Sequence, residues 1–241
     1  MAADATPQQK GENSSAAASS TQATACDSAT YYVTLGEYDR ALKQLEGARA
    51  SGTSSAANEN LRGVALMMSG RVAESISVFD GVIASDPALV EARFNRGIAE
   101  LKLDQPEKAS ADFTAIATNE HNLLRASAAY HNALALDRLG RTAEAQVWVD
   151  RAVALDNDFD AARLLSGVFR ERAGDLTGAA RTYLEYLKRH PQSTAAMLRL
   201  GVTAQRAGRS DVATTYLKHV ISEAPDSPEA IEARKFLIMW E

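Results

Sequence analysis

"LGEYDRALKQLEGA", residues 35–48, predicts a short amphipathic helix that begins after a glycine turn. Related stretches return four times along the chain: "SGRVAESISVFDGV" (69–82), "LGRTAEAQVWVDRA" (139–152), "AGDLTGAARTYLEY" (173–186) and "AGRSDVATTYLKHV" (207–220). The chain therefore uses one type of helix repeatedly, and the spacing between the copies indicates the fold.

The repeats share one period, which is 34 residues apart from a single step of 36. The turn position is occupied by Gly36, Gly70, Asp104, Gly140, Gly174 and Gly208. Seven positions earlier the chain has a small residue: Ala29, Gly63, Gly97, Ala133, Gly167 and Gly201. Five positions after the turn it has Ala41, Ser75, Ala109, Ala145, Ala179 and Ala213, and four residues later Leu45, Phe79, Phe113, Val149, Tyr183 and Leu217.

These positions have a steric explanation. Two antiparallel helices of about 12 residues approach closely only where a side chain is small, so the paired small residues mark the crossing of the helices. The larger residues fill the space around that crossing. Pro87, Pro191 and Pro225 follow the second helices of three units, because proline cannot continue the helical hydrogen-bond pattern. The sequence predicts an all-α protein.

This 34-residue pattern resembles the tetratricopeptide repeat. The resemblance implies a right-handed superhelical solenoid of antiparallel helix pairs, with six repeats in residues 22–227: 22–55, 56–89, 90–123, 126–159, 160–193 and 194–227. Residues 1–21 have almost no large apolar side chains and predict a disordered leader. Ser227 and Pro228 predict the start of a capping helix over 228–241. Ile238, Met239 and Trp240 are expected to form the buried side of this helix, with a dimer contact as the alternative.

Composition excludes several classes of function. The chain has 241 residues, a net charge of −5 and one cysteine. An acidic balance argues against nucleic-acid binding, and a single cysteine cannot form an intrachain disulfide. The sequence contains no apolar run long enough to span a membrane. It therefore predicts a soluble protein, cytoplasmic as written or periplasmic if an export signal has been removed.

The sequence gives no sign of catalysis. The four histidines, His121, His131, His190 and His219, lie in different units without the spacing of metal ligands. The chain has no nucleophile, phosphate-binding or dinucleotide-binding motif. We therefore expect a non-catalytic protein without a cofactor or a metal.

The family resemblance places the second, fifth, ninth, twelfth and thirteenth positions of each unit on a concave binding surface. The fifth position gives Asn60, Phe94, Tyr130, Leu164 and Leu198, and the ninth gives Val64, Ile98, Leu134, Val168 and Val202. The thirteenth position gives a basic row of Lys102, Arg138, Arg172 and Arg206. Met67 and Met68 lie at the N-terminal end of this surface. The alternatives are that these residues pack in the core or that the leader covers them.

The expected function is that of an adaptor that binds a segment of another protein and aids complex assembly. An apolar floor beside a basic row favours an amphipathic helix or an extended apolar segment with acidic character. By analogy, such proteins serve bacterial secretion, pilus or envelope assembly. The alternatives are a self-assembling structural subunit, which would be a homo-oligomer, and a membrane-tethered lipoprotein whose signal is missing here.

Overall fold

The protein is described by a computed structural model that covers residues 27–240, so the predicted leader lies outside the described residues. Within this range the secondary structure is entirely helical, which confirms the all-α prediction. The helices are α1 (27–34), α2 (Tyr38–Ala50), α3 (Ala56–Met68), α4 (Val72–Ser85), α5 (Val90–Lys102), α6 (Pro106–Ala117), α7 (Arg125–Arg138), α8 (Thr142–Leu155), α9 (Asp160–Arg172), α10 (Leu176–Arg189), α11 (Thr194–Arg206), α12 (Ser210–Glu223) and α13 (Pro228–Met239). Successive helices pack in pairs.

The turns between paired helices require a left-handed backbone. The five turn glycines have φ values from 72° at Gly140 to 88° at Gly70. Asp104 holds the same turn in the third unit at φ 56°. Aspartate tolerates this conformation better than most residues, which explains how the unit keeps its turn without glycine.

The chain divides into two compact units, one ending at Ile116 and the other beginning at Ala117. In the N-terminal unit, α3 and α4 pack where Gly63 lies against the ring of buried Phe79. α5 and α6 repeat this contact with Gly97 and Phe113. A side chain at either glycine would overlap the ring, so the small and large positions of the sequence pattern are steric partners.

The C-terminal unit uses the same contact and ends with α13. Gly167 faces Tyr183, while Gly201 faces the smaller Leu217. The hydroxyl of Ser227 accepts a hydrogen bond from the Ala230 amide at 3.1 Å and caps α13 as predicted. α13 packs against α11 and α12, so it covers the last repeat.

The prediction of which side of α13 is buried was partly wrong. Ile238 is 75% exposed and Met239 is 68% exposed, whereas Trp240 is half-buried. The buried face instead follows Ala230, Ala233 and Phe236, and the Phe236 ring stacks on Trp240 at a centroid distance of 5.0 Å. The helical period places Ile238 and Met239 on the side of the helix opposite that buried face.

A buried carboxyl group in the N-terminal unit has an altered pKa. The Glu100 side chain on α5 is 5% exposed, and its Oε2 has no hydrogen-bond partner among the described residues. Burial, together with the negative charge of Asp112, raises the pKa of Glu100 to about 7. In the unfolded chain this pKa lies near the ordinary glutamate value of 4.5. The folded state therefore holds a proton that the unfolded state loses as the pH rises.

We expect the wild-type protein to lose stability as the pH rises from about 5 to 8, because Glu100 must ionise in its buried site. Glu100→Gln should remove this loss. The free energy of unfolding of the variant minus that of wild type should be roughly 1–3 kcal/mol larger at pH 8 than at pH 5. Urea unfolding at both pH values measures the effect, with Glu107→Gln at an exposed position as the control. Equal pH dependence in wild type and Glu100→Gln would contradict the assignment.

Candidate functional site

Four of the predicted floor residues line one groove in the C-terminal unit. Leu164 and Val168 come from α9, and Leu198 and Val202 come from α11. Each pair is spaced i, i+4, so one face of each helix supplies both residues. The groove has a volume of about 360 Å³, and Phe236 of α13 also lines it. We call it the C-terminal groove.

The floor of this groove is partly accessible. Leu164, Val168 and Val202 are half-buried, whereas Leu198 is 7% exposed. Leu198 thus packs mainly beneath the surface. Partly exposed aliphatic side chains in a concave site can bury further apolar area when a ligand binds.

The other two floor residues of this unit lie on α7. Tyr130 and Leu134 are half-buried, and the Tyr130 ring lies 5.1 Å from that of Phe159. Neither residue lines the C-terminal groove.

In the N-terminal unit, the predicted site residues lie on α3 and α5 with different degrees of exposure. Val64 and Ile98 are half-buried and pack against the Phe79 cluster, and Asn60 and Phe94 are also half-buried. The Oδ1 atom of Asn60 accepts a hydrogen bond from Asn95 Nδ2 at 3.1 Å, and the Phe94 ring meets Phe113 edge-on at 5.5 Å. Met67 is 7% exposed and Met68 is 48% exposed. Lys102 is exposed.

Arg172 and Arg206 of the basic row form ion pairs with acidic side chains. Arg172 Nη1 lies 2.8 Å from Asp137 Oδ2, and Arg206 Nη1 lies 2.9 Å from Glu171 Oε1. Each carboxylate belongs to the first helix of the preceding pair, 35 residues earlier. Arg138 is exposed. Sequence reasoning missed these pairs, although acidic residues at the twelfth position, next to the arginine position, were a usable signal.

Glu171 is the most buried charged group beside the C-terminal groove. It is 6% exposed and accepts a hydrogen bond from the Tyr183 hydroxyl at 3.1 Å. Burial and the negative charge of Glu171 raise the pKa of Tyr183 above its ordinary value. Arg199 Nη1 lies 3.9 Å from Glu171 Oε2, so this carboxylate attracts two guanidinium groups.

α13 adds acidic side chains to the site that were not among the residues predicted from the sequence. Glu229 and Glu232 line the C-terminal groove together with Arg199. Neither glutamate forms an ion pair within residues 27–240. The helix treated as a cap therefore also supplies one side of the candidate site.

A second cavity of about 460 Å³ is lined by α10, α11 and α12. Its walls include Leu176 and Leu184 of α10 and Val212 and Tyr216 of α12. None of the predicted site residues lines this cavity.

Neither a cluster of potential metal ligands nor a helix able to cross a membrane occurs among the described residues. Within residues 27–240, no group of three or more His, Cys, Asp or Glu side chains is arranged to hold a metal ion. No helix in the same range combines the length and apolarity needed to cross a bilayer.

The structure consists of consecutive helix pairs with glycine turns, and an apolar groove lies between first helices. These features define a helical-repeat protein of the protein-interaction class. The tetratricopeptide repeat family model matches residues 26–89 and 164–228, which together make up more than half of the chain. The chain belongs to the tetratricopeptide repeat family. Proteins of this family are generally non-catalytic interaction modules.

Several solved structures share the fold. One comes from the functional characterisation of Pseudomonas aeruginosa pilF. It is 16% identical to this chain over 91% of this chain and 99% of that chain, with a TM-score of 0.76. PilW, described as a widely conserved type IV pilus biogenesis factor, is 18% identical over 90% of this chain and 98% of its own, with a TM-score of 0.76. YrrB, described as having an unusual peptide-binding site, is 20% identical over 79% of this chain and 97% of its own, with a TM-score of 0.64. Because the sequence identities are low, this structural likeness establishes only the fold. Comparison with curated proteins gives no match.

Proposed function

We propose that this protein is a non-catalytic adaptor that binds a segment of a partner protein in the C-terminal groove. The apolar groove formed by α9, α11 and α13 carries this proposal, because partly exposed aliphatic side chains in a concave site favour a ligand with apolar anchors. The bound segment would be an amphipathic helix or an extended apolar strand.

The proposed biological role is assembly of a bacterial envelope complex, such as a pilus or a secretion system. The likeness to PilW, described as a pilus biogenesis factor, supports this role at the level of the fold. The peptide-binding site in the description of YrrB supports the proposal that this chain binds a segment of another protein.

A self-assembling subunit is the second candidate. Ile231, Ile238 and Met239 are exposed on α13, and exposed apolar side chains on one helix favour contact with another protein surface. Light scattering over a concentration series separates the candidates, because an adaptor of this kind stays at the monomer mass while a self-assembling subunit grows in mass with concentration.

The test of the adaptor proposal places a charge on the groove floor. Val168→Asp combined with Val202→Asp should reduce capture of the partner at least tenfold, because binding would bury two carboxylates among apolar side chains. A photo-crosslinking residue at Ala195, on the groove wall, would identify the captured protein by mass spectrometry from extracts of the native cells.

Two control variants make the result specific. Val147→Asp introduces the same charge on α8, where the side chain is 66% exposed, and Ala180→Phe fills the cavity lined by α10, α11 and α12. Both should leave capture unchanged. Circular dichroism must show that all variants remain folded. Undiminished capture by the folded Val168→Asp/Val202→Asp protein would exclude the groove as the binding site.

A further inference from the structure

The charges around the C-terminal groove differ from those that the basic row suggested. Arg172 is neutralised by Asp137, and Arg206 lies 2.9 Å from Glu171. An arginine already engaged in a close ion pair has less to gain from a new carboxylate, because the new contact must replace the existing one. These two arginines therefore do little to favour an acidic ligand.

The free charge of the groove lies instead on α13. Glu229 is half-buried and Glu232 is exposed, and both line the groove without an ion pair among the residues that the structure describes. Arg199 shares the groove, but its guanidinium already lies within 3.9 Å of Glu171. Three carboxylates lie in or beside the groove, those of Glu171, Glu229 and Glu232. The two guanidiniums there belong to Arg199 and Arg206, so the net charge of these groups is −1.

The spacing of the two glutamates suits recognition of one segment. Glu229 and Glu232 are three residues apart on α13, so they lie on the same face, one turn from each other. Phe236 lies four residues after Glu232 and adds an apolar side chain to the same groove. α13 thus presents two carboxylates followed by an aromatic ring beside the aliphatic floor of α9 and α11.

We propose that the C-terminal groove selects a segment of a partner protein in which apolar side chains are flanked by lysine or arginine. The apolar side chains contact Leu164, Val168 and Val202, and the cation pairs with Glu229 and Glu232. This inference rests on the proposed function, and it replaces the acidic ligand expected from the basic row with a basic one. The opposite sign of charge follows from the intramolecular ion pairs and from the position of α13.

A defined probe tests the sign of the charge. The full chain is used to select binders from a display library of random 12-residue peptides, and the Val168→Asp/Val202→Asp protein is used to remove peptides that bind elsewhere. We expect the remaining peptides to combine leucine, isoleucine or phenylalanine with lysine or arginine. Their affinity, measured by fluorescence polarisation, should fall as the salt concentration rises.

The variant Glu229→Gln/Glu232→Gln should weaken binding of these peptides about tenfold, because it removes both attractive charges and leaves the floor intact. Glu229→Lys/Glu232→Lys should shift the selected peptides toward aspartate and glutamate. The matched control is Glu120→Gln/Asp211→Asn, which removes two negative charges elsewhere in the same unit and should leave affinity unchanged.

The outcomes separate this inference from the proposed function. Groove-dependent peptides without an excess of basic residues, or with unchanged affinity for Glu229→Gln/Glu232→Gln, would overturn the basic specificity while supporting the groove. Selection of only those peptides that also bind Val168→Asp/Val202→Asp would overturn both.

Discussion

Gly63→Ala is expected to lower the free energy of unfolding by about 2–4 kcal/mol. The added Cβ would lie 2.7 Å from Cζ of Phe79, and that ring is fully buried. Neither group has room to move without disturbing the packing between α3 and α4. The clash outweighs the roughly 1 kcal/mol that alanine gains over glycine in a helix interior. Urea unfolding followed by circular dichroism measures the change.

A second substitution tests the steric cause. Gly63→Ala/Phe79→Leu should recover most of the lost stability, because the chain itself pairs Ala29 with Leu45 at the equivalent positions. Gly81→Ala is the control. Gly81 lies on α4 with no atom within 4 Å of an added Cβ, so this variant should be stabilised by about 0.5–1 kcal/mol. A loss below about 0.5 kcal/mol for Gly63→Ala would contradict the steric account.

Asp112→Ala is expected to destabilise the N-terminal unit by about 2–4 kcal/mol. The Asp112 side chain is 6% exposed, and its two oxygens accept hydrogen bonds from Nε and Nη2 of Arg96 at 2.7 and 2.8 Å. Removal of this carboxylate leaves the guanidinium of Arg96, in a side chain that is only 21% exposed, with a single contact to Asp80. A two-point hydrogen-bonded pair is strong, so its loss from a partly buried guanidinium is costly.

Asp80→Ala provides a matched comparison, because Asp80 binds the same Arg96 through one contact at 2.7 Å. Its side chain is 55% exposed, so solvent screens the pair and the loss should stay below about 1 kcal/mol. Urea unfolding at pH 7 compares the two variants. Similar losses would show that burial and two-point contact do not distinguish the two carboxylates.

The sequence contained the information for the helix pairs. A Gly63–Phe79 contact joins residues 16 apart within one helical hairpin, and the same separation links Gly167 with Tyr183. Both partners of this contact therefore belong to a single repeated unit. The turn residues act locally as well, since a positive φ depends on the residue that adopts it. Local steric rules and a nearly constant period were enough to predict an all-α fold of paired helices.

The ion pairs and the composition of the groove depended on tertiary structure. Arg206 and Glu171 are 35 residues apart and lie on different helix pairs, so their distance depends on how neighbouring pairs pack. The sequence showed Arg206 as a free cation because a linear pattern does not give the distance between side chains on separate elements. The packing of α13 likewise decided that Phe236 faces inward and that Ile238 and Met239 face solvent.

The physical reason for this division is the range of the interactions. Backbone conformation and the small–large contact are fixed within a unit of about 34 residues, so they repeat with the sequence and can be derived from it. The side chains of α9 and α11 pair with each other, so the charge left unpaired beside the groove is that of the glutamates on α13. The sequence therefore determined the repeat, while only the packing of helices against one another decided which charges remain unpaired beside the groove.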